Sequence, residues 1–353
     1  MINEILQLNS SWEMLQKATL PIIMYGTGDG GDKVLYEFSK LNIKISGIMV
    51  SDGFARGQSF HGFKVGTLSY FESVYDDFIV AVSFGTQIPE VIENIKSIMK
   101  IHKVLMPCVP VYGEELFDRY FIENHKEKLN SVYEILADEK SKSVFECVLK
   151  FELTGDFKYL FESETDKKEA FQNILKLKSN ENYLDLGAYK GDTINEFLSI
   201  CNGNYESILA LEPDCKTFKK LSAFCSDLKN CECLEMGVWS EKSTLVFENK
   251  AGRNSKIGTE KGENVSVVSI DELCKDKNIS YIKADVEGAE FEMLLGSQNV
   301  LKTKKPKLNI AVYHKSEDIF KLPLKILEIN PQYKIYLRHH PYIPCWDLNL
   351  YAF

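Results

Sequence analysis

The sequence predicts an α/β protein made of two mostly parallel sheets with a helical stretch between them. Three observations carry that expectation. Short apolar runs alternate with stretches of helical spacing before residue 112 and again after residue 179, the pattern of parallel strands joined by right-handed crossovers. Each half holds a glycine-rich turn that follows an apolar run and opens a helix, at Gly26–Gly31 and at Gly187–Gly191. Between the halves, Glu114–Leu177 contains one glycine, Gly155, and no proline. There Val132, Ile135, Leu136, Val144, Phe145, Val148 and Leu149 recur every three or four residues, as on amphipathic helices. The expected division is a smaller α/β unit over 1–112, a helical connector over 113–178 and a second α/β unit over 179–353.

A length of 353 residues suits two domains. With 44% hydrophobic and 26% charged residues the composition is that of an ordinary globular protein. The net charge of −9 argues against a general nucleic-acid binder, which shows a basic face. The chain opens with no charged-then-apolar leader, and no apolar run reaches the length of a membrane span. Nine cysteines are scattered with no CxxC pair, Cys231 and Cys233 being nearest in sequence. They read as reduced thiols in a cytoplasmic protein, with no zinc site.

In the first unit, Met1–Lys17 reads as a short amphipathic helix. Strands are expected at Pro21–Tyr25, Lys44–Val50, Asp77–Val82 and Lys103–Met106, with helices over Lys33–Lys40 and Ile88–Lys100. Gly26, Gly28 and Gly31 form a GxGxxG turn, and Asp52 lies 26 residues after Gly26. A Rossmann-like reading places a dinucleotide or nucleotide-sugar over that turn with Asp52 on a ribose. Asp29 and Asp32 would crowd a phosphate with negative charge. The competing reading is a Rossmann-like unit kept for packing or partner contact.

The second unit opens at Glu181–Thr193. Tyr183–Leu186 is a strand, Gly187 and Gly191 allow a tight turn with bare backbone against a ligand, and Asp192 opens a helix. Asp185 would repel a pyrophosphate. It suits a cationic or hydroxyl-rich ligand, and S-adenosylmethionine is both. Ile208–Leu211 is the next strand, and Glu212 at its tip, 21 residues after Gly191, is placed to accept from both hydroxyls of a ribose. A helix over Lys216–Leu228 and a third strand, Cys231–Val238, follow. Ser243–Glu248 reads as a hairpin arm, Asn249–Gly262 as a mobile loop and Val265–Ile270 as a strand. Ile279–Asp285 and Pro306–Tyr313 are core strands, with helices over Ala289–Leu301 and Asp318–Ile329. Tyr333–Arg338 and Trp346–Ala352 are joined by so short a link that they pair antiparallel. Asp285 and Glu287, two apart, share one face of a regular strand. Glu290 follows a turn at Gly288, and His314 ends the neighbouring strand. Arg338, His339 and His340 could flank an acceptor, but they read better as part of a solvated hairpin loop.

YLDLGAYKGDT (Tyr183–Thr193), LALEPD (Leu209–Asp214), SIDEL (Ser269–Leu273), YIKADVEGAE (Tyr281–Glu290), PKLNIAVYHK (Pro306–Lys315) and YKIYLRHH (Tyr333–His340) resemble the FkbM family of S-adenosylmethionine-dependent methyltransferases. The resemblance spans about Ser179 to Phe353, and Ala137–Leu160 resembles the segment ahead of the methyltransferase domain in some members. The first half is similar to the nucleotide-sugar-binding Rossmann-like domain that precedes bacterial sugar acyltransferases. Met236-Gly237-Val238-Trp239 departs from the Asn-x-Ala pattern of many relatives.

The resemblance implies a class I methyltransferase fold, a mostly parallel sheet closed by a terminal antiparallel hairpin. It implies S-adenosyl-L-methionine held by Asp185, Gly187, Gly191 and Glu212, to which Tyr189, Lys190 and Asp192 on the turn are added. The implied reaction is O-methylation of a sugar hydroxyl in a surface glycan, lipid-linked glycan or nucleotide-sugar precursor, in the cytoplasm of a bacterium. For catalysis, His314 or Asp285 takes the hydroxyl proton and Glu287 positions the acceptor. Asp285, Glu287, Glu290 and His314 can also hold a divalent ion through oxygen and imidazole, the less favoured arrangement. Two rival functions remain. A nicotinamide-dependent sugar oxidoreductase or epimerase would be run by the first unit, which lacks a visible Tyr-x-x-x-Lys pair. A non-catalytic glycan-binding protein would leave Asp185, Glu212 and Asp285 without a role.

Overall fold

The computed structural model of the chain describes residues 1–248, 256–257 and 263–353. Apart from residues 256–257, the loop expected over Asn249–Gly262 lies outside the described residues.

The first half forms a six-stranded sheet from β1 (Ile22–Tyr25), β2 (Gly47–Met49), β3 (Ser59–Phe60), β4 (Phe63–Gly66), β5 (Ile79–Val82) and β6 (Lys103–Leu105). The order is β3-β4-β2-β1-β5-β6, and every pairing is parallel except the small β3–β4 hairpin. β1 and β5 are buried along their whole length, which is why they read as unbroken apolar runs. The expected Met1–Lys17 helix is two helices, Ile2–Ile5 and Ser11–Gln16. Ser10 is the reason: its hydroxyl accepts from Glu13 N while the Glu13 carboxylate accepts from Ser10 N, a capping box that restarts the helix.

The second half begins with β7 (Asn182–Leu186), β8 (Ser207–Leu211) and β9 (Cys231–Leu234). Next come β10 (Gly237–Val238), β11 (Ser243–Glu248), β12 (Lys256–Ile257) and β13 (Glu263–Val268), which form a separate four-stranded sheet in the order β10-β13-β11-β12. β14 (Tyr281–Ala284), β15 (Lys307–Ala311), β16 (Ile335–His339) and β17 (Leu348–Ala352) complete a seven-stranded sheet, β16-β17-β15-β14-β7-β8-β9. It is parallel except for β17, which runs antiparallel to both β15 and β16. Two expectations are corrected here. Cys231–Val238 is not one strand: the chain turns after Leu234, with Met236 N bonded to Leu234 O at 3.0 Å, and Gly237-Val238 pairs with β13 instead. Ala289–Leu301 is not one helix: it divides into Glu290–Leu295 and Gln298–Thr303. The Asp271 carboxylate accepts from Asn299 N and Val300 N and so caps a fresh helix start.

Helices fill the stretch between the sheets, the longest being Glu139–Thr154, capped by Asp138 and ended by Gly155 in the left-handed conformation. This stretch covers the open edge of the seven-stranded sheet. Ala137 N bonds to Ile335 O at 2.8 Å and Thr165 N to His339 O at 2.7 Å, both on β16. The covering also buries Arg338, His339 and His340, correcting the solvated loop expected there. The Arg338 guanidinium lies between Asp138 at 2.7 Å and Glu169 at 3.0 Å. Among the described residues, no helix is long and apolar enough to cross a membrane.

Replacing Arg338 with methionine keeps the volume and strands two carboxylates that retain some solvent. Urea unfolding of R338M is expected to show a loss of about 3 kcal/mol, the low end for a broken buried pair.

Candidate active site

The carboxyl ends of β7, β8 and β14 open onto a cleft of about 690 Å³. Its floor begins with an ion pair set by strand register. β7 and β14 run parallel with Asp185 opposite Lys283, and Lys283 Nζ lies 3.5 Å from Asp185 Oδ1 and donates to Gly187 O at 3.1 Å. Burial by itself would lower the lysine pKa. The facing carboxylates, Asp185 foremost, outweigh it, so the ammonium is held above its ordinary value. Thr193 Oγ1 donates to Asp185 Oδ2 at 2.5 Å. Asp185 is therefore fully buried and is not one of the residues lining the cleft. The structure sets Asp185 beneath the turn, paired with Lys283 and Thr193, and not at the cleft surface where its contact with a ligand was expected.

The turn is shaped by packing more than by room for a ligand. Gly187 has φ of +75°, and a Cβ there would sit 2.0 Å from Asp285 O. Gly191 has φ of +91°, and its Cβ would meet the Phe224 ring at 2.4 Å. Both positions require glycine for these close approaches. Tyr189, also left-handed at φ +48°, donates its backbone N–H to Glu212 Oε2 at 3.0 Å, and Asp214 N donates to Glu212 Oε1 at 2.9 Å. Glu212 is thus pinned at the tip of β8 and faces the cleft. Burial pushes its carboxyl up to about 7 against those two N–H groups. Gly187, Tyr189, Lys190, Asp192 and Glu212 all line the cleft, with the Lys190 ammonium 4.6 Å above the Tyr189 ring.

Across from this turn is a second one, Asp285–Gly288. β14 ends at Ala284, so Asp285 and Glu287 do not alternate along a strand as expected. Glu287 (φ +54°) and Gly288 (φ +90°) are both left-handed, and that bend turns both acids to one imidazole. His314 Nε2 lies 3.4 Å from Asp285 Oδ1 and 3.6 Å from Glu287 Oε2, while Nδ1 is 2.9 Å from Glu290 Oε1. His314 is buried on all sides. Burial alone would lower its pKa, but Glu290, Asp285 and Glu287 together raise it to about 10. A histidine so surrounded favours its protonated form, which donates and does not accept, and this weighs against the expected role of His314 as the base. Burial pushes Glu287 up to about 7, with His314 pulling the other way. Glu287 and Asp285 line the cleft, and Tyr313 OH lies 3.3 Å from Asp285 Oδ1.

One ligand atom each from Asp285, Glu290 and His314 lies within 4.8 Å of the others. Both imidazole nitrogens face these carboxylates directly, Nδ1 at 2.9 Å from Glu290 and Nε2 at 3.4 Å from Asp285.

Sequence reasoning passed over several cleft residues. Lys283 was legible as the partner facing Asp185 across two parallel strands. Gln87, Lys167, Tyr313, Tyr342, Trp346 and Asp347 also line the cleft, and they come from four separated segments with no shared spacing. The first sheet reaches the site through Thr86, whose N–H and C=O both bond to Ile343 at 2.7 and 2.9 Å.

At the other glycine turn, a Cβ on Gly26 would lie 2.7 Å from Ser83 Oγ and 2.8 Å from the Phe84 ring, and one on Gly31 would lie 3.2 Å from Gly26 O. A Cβ on Gly28 would meet open space. Asp29 pairs with Lys33 at 3.2 Å and Asp32 with His61 at 2.6 Å. Asp52 opens a short 3-10 turn, Asp52–Phe54, just after β2.

Residues 185–338 match the family model described as Methyltransferase FkbM domain. The chain carries an FkbM methyltransferase domain. A crystal structure described as methyltransferase FkbM from Methylobacillus flagellatus KT is similar over 100% of this chain and 93% of its own, at 20% identity and a TM-score of 0.71. The two share one fold across both halves. Aeropyrum pernix fibrillarin with natively bound S-adenosyl-L-methionine aligns over 53% of this chain and 73% of its own, at 15% identity and a TM-score of 0.34. Precorrin-6y C5,15-methyltransferase from Geobacter metallireducens GS-15 covers 54% and 91%, at 13% and 0.33. No curated protein matches the chain by sequence. The FkbM domain has the mostly parallel sheet with a terminal antiparallel hairpin of class I methyltransferases, and the protein is a methyltransferase.

Within the FkbM domain, His314→Ala leaves Glu290 charged and buried with its cation gone. The expected loss of stability is about 3–5 kcal/mol, measured by denaturant unfolding. Because the histidine pKa is raised from 6.5 to about 10, its contribution is complete below the lower value and disappears as pH rises through the upper one. The gap between wild type and H314A should narrow accordingly at alkaline pH.

Proposed function

We propose that the protein is an S-adenosylmethionine-dependent O-methyltransferase acting on a sugar hydroxyl of a glycan or nucleotide-sugar precursor. The observation that carries this reading is Glu212. A carboxylate has about four acceptor sites, and two of them are taken by Tyr189 N and Asp214 N. The rest face the cleft, where the two hydroxyls of an adenosine ribose can donate. The turn at Gly187–Gly191 and the acid of Asp192 then border the sulfonium and methionine end. Gly187, Gly191 and Asp185 serve by shaping and bracing that turn.

The acceptor lies on the opposite side of the cleft, between the Asp285–Gly288 turn and Tyr313, Tyr342 and Trp346. Flat aromatic faces beside Gln87, Lys167 and Asp347 suit a ring that is apolar on one face and hydroxylated at its rim. Methyl transfer is an in-line displacement at a carbon already activated by sulfonium. Alignment supplies much of the rate, on the order of 7–11 kcal/mol when both partners are fixed. The remaining task is to take the hydroxyl proton. Glu287 is the group for it, ionised at mildly alkaline pH and facing the cleft, with Asp285 and Tyr313 orienting the acceptor. The imidazolium of His314 stabilises both carboxylates as anions. The first unit contributes a wall of this cleft, and its Gly26, Gly28, Gly31 and Asp52 are given no nucleotide in this reading.

Calorimetric titration with S-adenosylhomocysteine tests the donor half. Wild type should bind and Glu212→Ala should bind at least about ten-fold more weakly, about 1.4 kcal/mol. Equal affinity would overturn the ribose assignment. For the chemical half, S-adenosylhomocysteine release is measured with a panel of UDP- and dTDP-sugars across pH. A base that must be ionised gives kcat/KM that falls as pH drops through about 7. Glu287→Gln should remove that limb and lower the rate by roughly 10²–10⁴-fold.

A further inference from the structure

Tyr112 lies outside the matched segment of 185–338, in the stretch that leaves the first sheet after β6. It nevertheless touches the Asp285–Gly288 turn in two ways and His314 in a third. Its phenol donates to Glu287 Oε2 at 2.7 Å. Its backbone N–H donates to His314 O at 2.8 Å. Its ring packs on Gly288, where an added Cβ would lie 3.1 Å from Tyr112 Cδ2. The ring does not line the cleft, which Glu287 does. The phenol therefore approaches the carboxylate from behind and leaves the other oxygen free to face the acceptor.

We propose that Tyr112 is a positioning residue for methyl transfer, holding the Glu287 carboxylate in place at the cleft from the first half of the chain. The proposal rests on the reading of Glu287 as the base. A left-handed, non-glycine residue such as Glu287 is a strained position that needs support from around it. Tyr112 supplies that support from one side, and Lys315 from another by donating to Gly288 O at 2.6 Å. The charged and titratable neighbours of Glu287 divide by sign. Burial, Asp285 and Glu290 favour its neutral form; His314 and the Tyr112 hydroxyl favour its anion. Burial and the Glu287 charge push the Tyr112 phenol well above its ordinary value, so at any working pH it is a donor and never a second anion. Of the two groups favouring the anion, only Tyr112 belongs to the first half of the chain. A methyltransferase segment cut free of that half would keep Glu287 but lose the donor that keeps it ionised.

The test needs no acceptor. The full chain is labelled with [¹³Cδ]glutamate, and the Glu287 resonance is assigned as the one missing in Glu287→Gln. Tyr112→Phe removes one oxygen and keeps the ring over Gly288. The Glu287 titration midpoint is expected to rise by about one unit, the size of one hydrogen bond to a charged group. S-adenosylhomocysteine affinity should stay at the wild-type value, which also shows that the variant is folded. A midpoint unchanged or lower in Y112F overturns the proposal. Incorporation of 3,5-difluorotyrosine at 112, a stronger donor of the same shape, gives the opposite sign: the midpoint should fall, and no fall counts against the proposal. In activity, Y112F should move the acid limb of kcat/KM upward by the same interval, which a merely structural role would not do. Full turnover by E287Q would remove the base reading while leaving the titration result standing, so the two failures are distinguishable.

Discussion

The site depends first on the pairing of Asp185 with Lys283. Two parallel strands in register set a carboxylate and an ammonium side by side at the point where both strands end. Neither charge is stable alone at that depth, where each unpaired ion costs several kcal/mol. Together, and with Thr193 on the second carboxylate oxygen, they tie the two strand ends to each other, and the ammonium also donates to the carbonyl of Gly187. The glycine turn is therefore tied to β14 as well as to β7. The two loops that border the cleft come from those two strands, so one ion pair sets the distance between the donor side and the acceptor side.

A second charge arrangement decides the chemistry. His314 sits among Glu290, Asp285 and Glu287 with one nitrogen on the first and the other near the remaining two. Glu290 is the most buried of the three and also accepts from Val286 N at 2.9 Å, which ties the imidazolium to the Asp285–Gly288 turn. An imidazole so placed is a fixed cation. It lowers the cost of keeping two acids at the cleft surface. A histidine near a reactive centre is readily taken for a base; here the number of facing carboxylates argues for the other role.

The glycine turn and the acid that border one side of the cleft were legible in the sequence because they are local. Tyr183–Thr193 and Leu209–Asp214 each combine a strand, its turn and the acid at its end in a dozen residues, and periodicity with two glycines is enough to read them. β1, β5, β7, β8, β14 and β15 were legible for the same reason, each being a short apolar run buried along most of its length, whereas the half-exposed β3–β4 hairpin was not expected. What failed was decided by distant partners. Cys231–Val238 reads as one extended run, yet its last two residues leave the main sheet and pair with β13. Ala289–Leu301 keeps helical spacing throughout, yet a carboxylate 28 residues earlier, Asp271 on Asn299, starts a new helix inside it. Arg338, His339 and His340 look like surface residues until the helices between the sheets are laid against β16. Asp285 and Glu287 were brought to one place by the wrong geometry: strand alternation was expected, and a left-handed bend does it.

The acceptor side was not legible because no single segment holds it. Gln87 comes from the end of β5, Lys167 from the helices between the sheets, Tyr313 from just past β15, and Tyr342, Trp346 and Asp347 from the loop that joins β16 to β17. These are brought together by contacts between the halves: the two hydrogen bonds of Thr86 with Ile343, and the absence of a side chain at Gly85, where a Cβ would lie 2.4 Å from the Trp346 ring. The first sheet is built like a nucleotide-binding unit, but its turn at Gly26 is closed against Ser83 and Phe84. The same β5 loop then continues to Thr86 and Gln87 at the methyltransferase cleft. A parallel sheet gathers its loops at the carboxyl ends of its strands. In this chain that end of the first sheet is turned toward the cleft of the second, where Gln87 borders it.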